Sequence, residues 1–272
     1  MGKIAFVFSG QGAQYPGMGR ELADRSPAAR AVFAAADALR PGTSAQCFSA
    51  SMEELCETKN TQPCMFAVEL AAAAALREAG IRADMAAGFS LGELAALTYG
   101  GAMDFETGFS LVCRRAEHMQ NAAEARDTAM AAVLKLTPDA VIALCADFAE
   151  VYPVNFNCPG QITVSAAAEQ MPAFLAAVKA AGGRAIQLKV RGGFHSPFMA
   201  EAATSFAADL AAAKLNAPAI PVYANRTAQP YGADVVGMLA GQIDHPVLWE
   251  DSVRAAERAA AINFSRISSA CR

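Results

Sequence analysis

Apolar and polar positions along this chain follow two rhythms, one in its first half and another in its middle. The apolar stretch Ile4-Ala5-Phe6-Val7-Phe8 predicts a buried strand that runs into the turn Ser9-Gly10-Gln11-Gly12-Ala13-Gln14. Helical periodicity then dominates. It predicts a helix over 17–39, split by Pro27 and ended by Pro41-Gly42, and a short one over 52–58. A long helix over 64–79 is opened by Thr61-Gln62-Pro63 and closed by Gly80. The apolar residues 84–87 predict a second strand, followed by helices over 91–99 and, after Gly100-Gly101, over 104–123.

From about 129 the pattern changes. Strands are expected over 129–136, 151–156, 161–165 and 184–190. Helices are expected from Thr137-Pro138 to Cys145 and over 168–181, with Asn157-Cys158-Pro159-Gly160 as a turn. This β-α-β-β-α-β order is the ferredoxin-like arrangement. Gly192-Gly193 then opens a third region, with helices over 198–213, 234–243 and 250–260 and short strands over 220–224 and 261–264. The expected fold is α/β: a mainly parallel-sheet, hydrolase-like core built from 1–127 and 191–272, with a small ferredoxin-like domain inserted at 128–190.

The strand–turn–helix at Gly88-Phe89-Ser90-Leu91-Gly92-Glu93 carries the leading chemistry. Glycines two before and two after a serine let a strand reverse into a helix with the hydroxyl at the apex, as in a nucleophile elbow; an ordinary tight turn is the alternative. A serine needs a base. Of His118, His195 and His245, only His195 sits in a glycine-flanked loop after a strand, from which a side chain can cross a cleft. His118 lies within a helix and His245 before Pro246, where structural roles are expected. The turn at Gly10-Gln11-Gly12 does not complete a dinucleotide or P-loop fingerprint, and suits backbone N–H groups facing a developing negative charge. Arg114 and Arg115 are adjacent on one helix, so at most one faces the cleft.

Composition narrows the class. The 272 residues are 54% hydrophobic with a formal net charge of −4, which argues against a disordered chain and against a general nucleic-acid surface. The seven cysteines show no C-x-x-C pair and are expected to be reduced thiols in a cytoplasmic protein, with no metal site. The start of the chain is too short and strand-like for a signal peptide, and the alanine-rich stretch 67–76 is interrupted by Glu69, so no membrane span is expected.

With these residues in order, the sequence resembles the malonyl-CoA:acyl-carrier-protein transacylases and the related acyltransferase domains of polyketide synthases. The resemblance rests on Gly10-Gln11-Gly12-Ala13-Gln14, Thr61-Gln62-Pro63, the Ser90 motif, and Arg115 followed by His118-Met119. It continues through Asn157-Cys158-Pro159-Gly160-Gln161, Phe194-His195-Ser196-Pro197, Asn225, Gln242 and Pro246-Val247-Leu248-Trp249. It implies that Ser90 takes a malonyl group from malonyl-CoA, that His195 is base and then acid, and that the phosphopantetheine thiol of acyl carrier protein accepts the group. It also implies an oxyanion hole from the N–H groups of Gln11 and Leu91, and a main-chain carbonyl near Gln242 that orients the base. Arg115 would hold the malonyl carboxylate, because a planar guanidinium forms two parallel charge-assisted bonds to one carboxylate. Gln62 and Asn157 would line the substrate site, and Phe194 would fill the space of an α-methyl group and favour malonyl over methylmalonyl. No bound cofactor is implied, CoA being substrate, and a monomer is expected.

Three positions depart from the family pattern. Phe89 stands where a histidine is usual, Ala116 where a glycine is common, and Ser268-Ser269-Ala270-Cys271-Arg272 where relatives have a glycine-rich turn and a final helix, which fits a truncation or altered reading frame. Competing readings are an acyl-thioester hydrolase, a weakened acyl-CoA or carrier-protein binding module, and a role in a polyketide rather than a fatty-acid pathway.

Overall fold

The computed structural model describes residues 2–190, 192–259 and the backbone of 262–267. Strand β1 (Lys3–Phe8) alternates its faces: Phe6 and Phe8 enter the main core, while Ala5 and Val7 face a smaller cluster. Helices α1 (Arg20–Arg25) and α2 (Pro27–Leu39) are the two pieces expected around Pro27, which opens α2 behind its N-cap Ser26. Helix α3 (Thr43–Ser49) was not expected from the sequence; Gly42, at φ 88°, turns the chain into it instead of ending the helical region. Short α4 (Met52–Leu55) leads into α5 (Thr58–Glu78). That helix begins earlier than the Pro63 signal implies. Pro63 deprives only the carbonyl of Lys59 of its helical partner, and Lys59 is exposed, so water can take that place.

Strand β2 (Met85–Gly88) is wholly buried and runs into α6 (Leu91–Tyr99). Helix α7 (Phe105–Ala125) follows, capped by the Asp104 carboxylate accepting from the Thr107 N–H. Next come β3 (Thr128–Leu134), α8 (Pro138–Ala146), β4 (Val151–Cys158), β5 (Gln161–Ala167), α9 (Met171–Ala180) and β6 (Arg184–Gln187). The chain then returns through a 3-10 turn (Pro197–Met199) to α10 (Ala200–Ala212), β7 (Val222–Tyr223), α11 (Val235–Ala240), α12 (Trp249–Ala259) and β8 (Ile262–Ile267).

Two four-stranded sheets result. One is parallel, ordered β7-β2-β1-β8, and its small residues Ala86, Ala87 and Gly88 let helices lie close on both faces. The other is antiparallel, ordered β4-β5-β3-β6, the ferredoxin-like β-α-β-β-α-β unit, with a core of its own that includes Val141, Val164, Phe174 and Val178. The expected turn at 157–160 is tighter than its sequence implies. Cys158 still pairs with Gln161, so Pro159-Gly160 alone reverses the chain, with Gly160 at φ 77°. Strand β6 stops at Gln187 rather than reaching 190, and β7 is shorter than expected at both ends. The antiparallel sheet is tied to the segment leading into α12 where Asn155 bridges Val247: Phe156 N–H donates to the Val247 carbonyl at 2.9 Å, and Val247 N–H to that of Val154 at 2.8 Å. The last expected strand is observed as β8, parallel to β1; the family departure at 268–272 lies outside the described residues.

Candidate active site

Ser90 occupies the turn between β2 and α6 with φ 54° and ψ −106°, a strained backbone for a residue with a side chain. Both flanking glycines are required by close packing. A Cβ on Gly88 would lie 1.9 Å from the Gly92 carbonyl oxygen, and one on Gly92 would lie 2.4 Å from that of Ser9. Asn225, just past β7, secures the turn from the neighbouring strand. Its Oδ1 accepts from the Ser90 N–H at 2.7 Å, and its Nδ2 donates to the Gly88 carbonyl at 2.5 Å.

The loop after β6 brings His195 to this apex, itself at φ 62°. Ser90 Oγ lies 2.7 Å from His195 Nε2, and His195 Nδ1 lies 3.0 Å from the main-chain carbonyl of Gln242. A carbonyl only accepts, so Nδ1 carries the proton and Nε2 offers its lone pair to the serine hydroxyl. Burial, and then the nearby Arg115 charge, hold the imidazole down to about 4, against weaker upward pulls from the carbonyls of Gln242 and His245. His195 is therefore neutral across the physiological range, with the Nε2 lone pair free to accept a proton.

Arg115 is the inward member of its pair and is fully buried, whereas Arg114 is exposed beside Glu117. The guanidinium donates from Nη1 to Gln62 Oε1 at 2.7 Å, and from Nη2 to Gln242 Oε1 at 2.7 Å and Ser90 Oγ at 3.1 Å. Among the described residues its Nε finds no acceptor. Burial lowers its pKa to about 10, and the Glu93 charge opposes the shift, so the group stays charged. One serine hydroxyl thus faces both an imidazole lone pair and a cation, which favours its ionisation.

A cavity of about 110 Å³ opens beside this cluster, lined among others by Gln11, Gln62, Leu91, Met119, Asn155 and Phe194. Leu91 opens α6, so its N–H is one of those that a helix cannot satisfy internally. Gln11 lies in the turn after β1, and a Cβ on the adjacent Gly10 would lie 2.9 Å from the Phe89 carbonyl oxygen, so the two turns pack backbone to backbone. Asn157 is not in the cavity wall; its Nδ2 donates to Thr163 Oγ1 at 3.2 Å, and Thr163 and Asn155 form that part of the lining. Phe89 stacks edge-on against Trp249 at 5.5 Å between ring centroids, so the family's usual histidine is replaced by an apolar wall. His118 pairs with Asp209 at 2.7 Å and His245 with Asp244 at 2.7 Å.

Residues 5–268 match the family model described as "Acyl transferase domain". The chain belongs to the acyl transferase domain family. It is 38% identical over 261 residues to the malonyl CoA-acyl carrier protein transacylase of Bacillus subtilis (strain 168), covering 93% of this chain and 82% of that protein. Its fold is similar to the crystal structure of malonyl CoA-acyl carrier protein transacylase from Clostridium perfringens, with TM-score 0.94 and 31% identity over 98% of this chain and 86% of the other. It is also similar to a malonyl-transacylase solved in complex with a type II polyketide acyl-carrier protein, with TM-score 0.93 and 31% identity, over 98% of this chain and 89% of the other.

Sequence reasoning left several parts of this acyl transferase site without a role. Glu93 closes the Ser90 motif, and Asn225 belongs to the pattern of resemblance, yet neither signalled what it holds. Tyr231, Asn155 and Thr163 had no signal at all. A polar residue that ends up buried after long-range folding looks, in one dimension, like any surface residue. Among the described residues, no group of three or more His, Cys, Asp or Glu is gathered to hold a metal ion, and no helix is long and apolar enough to cross a membrane.

Proposed function

We propose that this acyl transferase moves a malonyl group from CoA to the phosphopantetheine thiol of an acyl carrier protein, through an ester on Ser90, in fatty-acid synthesis. The observation that carries the reading is the joint approach to Ser90 Oγ of His195 Nε2 at 2.7 Å and Arg115 Nη2 at 3.1 Å. In the first half, His195 Nε2 takes the Ser90 proton as Oγ bonds to the thioester carbon. The N–H groups of Gln11 and Leu91 receive the developing oxyanion. Collapse breaks the carbon–sulfur bond, and the CoA sulfur leaves with the proton from Nε2. In the second half, His195 takes the proton of the carrier's thiol, sulfur attacks the ester carbon, and Ser90 Oγ leaves with that proton.

Arg115 is the candidate for the distal carboxylate. Its two neutral acceptors, Gln62 and Gln242, hold a charged fork that an incoming carboxylate can engage more strongly. Phe194, nine-tenths buried in the cavity wall, restricts the space beside the α-carbon and supports preference for malonyl over methylmalonyl. Asn157 would act on the substrate through Thr163, which it holds in the wall. The segment 128–190 is read as an inserted unit that closes one side of the cleft, and the enzyme as a cytoplasmic monomer without a prosthetic group.

The test is intact-mass detection of a malonyl adduct on Ser90 after malonyl-CoA is added, followed by its transfer to holo acyl carrier protein. Release of free malonate without transfer would instead identify a hydrolase. Binding without an adduct would identify a non-catalytic module.

A further inference from the structure

Glu93 is fully buried in the first turn of α6, and the chemistry above gives it no task. Its oxygens are nevertheless fully engaged. Oε1 accepts from the Asn225 N–H at 3.0 Å and from the Tyr231 hydroxyl at 2.6 Å, and Oε2 accepts from Gln242 Nε2 at 2.7 Å. The same Gln242 nitrogen donates its other hydrogen to the Ser90 carbonyl at 2.7 Å. Both donors of the amide are therefore spent on acceptors that cannot donate in return. Its oxygen is left facing Arg115 Nη2 at 2.7 Å.

This arrangement admits one orientation of the Gln242 amide. Reversed, the amide would set its NH2 against the guanidinium, donor to donor, and its oxygen against a carboxylate and a carbonyl. We propose that Glu93 is a positioning residue for acyl selection: its acceptor-only carboxylate fixes the Gln242 amide, which in turn holds the Arg115 guanidinium where the carboxylate of the acyl group is met. The inference rests on the reading of Arg115 as that carboxylate's partner. It goes further in naming what aims the fork. Burial raises the Glu93 carboxyl to about 7, with Tyr231, Gln242, Asn225 and Arg115 each pulling it down, so it is ionised at pH 8.

Glu93→Gln keeps the shape and changes only the donor pattern. The Asn225 N–H can only donate, so the new side-chain oxygen stays on that side and its NH2 meets the NH2 of Gln242. Gln242 then reverses and turns donors on Arg115. In the full chain at pH 8, Ser90 acylation by malonyl-CoA and by acetyl-CoA is followed by rapid quench and intact mass. The expected result is a fall of about tenfold or more in the malonyl-to-acetyl ratio of kcat/KM, expressed chiefly in the malonyl KM, the size of one charge-assisted bond misplaced. An unchanged ratio, or an equal fall for both thioesters, overturns the proposal, because a merely structural role would slow both alike. Should Glu93→Gln not fold, Gln242→Met carries the same expectation, since it keeps the main-chain carbonyl that His195 uses. Arg115→Ala separates the two readings. If it abolishes the malonyl preference and Glu93→Gln does not, only the Glu93 assignment falls; if it leaves the preference intact, the Arg115 reading falls and takes this one with it.

Discussion

Removing the guanidinium with Arg115→Ala is the sharpest perturbation of the proposed chemistry. In the free enzyme the substitution breaks three hydrogen bonds, to Gln62, Gln242 and Ser90. Two of the lost acceptors are amide oxygens: Gln62 can re-aim its own, and that of Gln242, whose amide stays held by Glu93 and the Ser90 carbonyl, can be hydrated in the space vacated. Toward a bound malonyl group the loss is larger. Two charge-assisted bonds at roughly 1.5–3 kcal/mol each amount to about 3–6 kcal/mol, or a factor of about 10² to 10⁴ in kcat/KM. An acetyl group has no carboxylate to lose, so its acylation reflects only the missing Nη2–Oγ contact and should fall about tenfold or less. The assay is Ser90 acylation under single-turnover conditions with each thioester, normalised to folded protein by thermal melt. A malonyl-to-acetyl ratio within about threefold of the parent would refute the clamp. A loss of the same size for both substrates would reassign Arg115 to activation of the serine alone.

Three further expectations follow from the structure. Because a neutral imidazole is the base and His195 protonates only near 4, Ser90 acylation by acetyl-CoA should stay level from pH 8 to about 5.5 and decline below that, and a limb centred between 6 and 7 would refute the burial argument. The linkage signs of the two buried groups are opposite: His195 contributes stability present above 6.5 and lost as pH falls through about 4, whereas Glu93 contributes stability present below 4.5 and lost as pH rises through about 7. Gly92→Ala should destabilise the fold by at least about 3 kcal/mol in urea titration, because its Cβ would meet the backbone of Ser9 and Phe8 at 2.4 and 2.6 Å, where no side-chain rotation can relieve it; a loss under 1 kcal/mol would show that the elbow can shift.

Local chemistry decided how much of this could be read in one dimension. Pro27, Gly80 and Thr137-Pro138 punctuate helices through backbone constraints that act within a few residues, and the structure breaks its helices there. Pro63 misled, because it sits in the sixth position of α5 and costs the helix only one backbone hydrogen bond, that to the carbonyl of the exposed residue Lys59. Helix α3 went unseen: its seven residues carry little periodicity, and Gly42 reads equally well as a stop or as an N-cap.

The sequence alone determined most of the order of elements, the β-α-β-β-α-β unit, and the local turns that carry the serine and the histidine, since each is written in neighbouring residues. Folding decided the polar web around them. Ser90 meets His195 across 105 positions, Asn225 meets Ser90 across 135, and Gln242 meets Glu93 across 149. No local periodicity encodes such distances. Which asparagine lines the cavity, and which partners the buried polar groups of the site meet, were settled only in the folded chain, because most polar groups taken out of water must be paired.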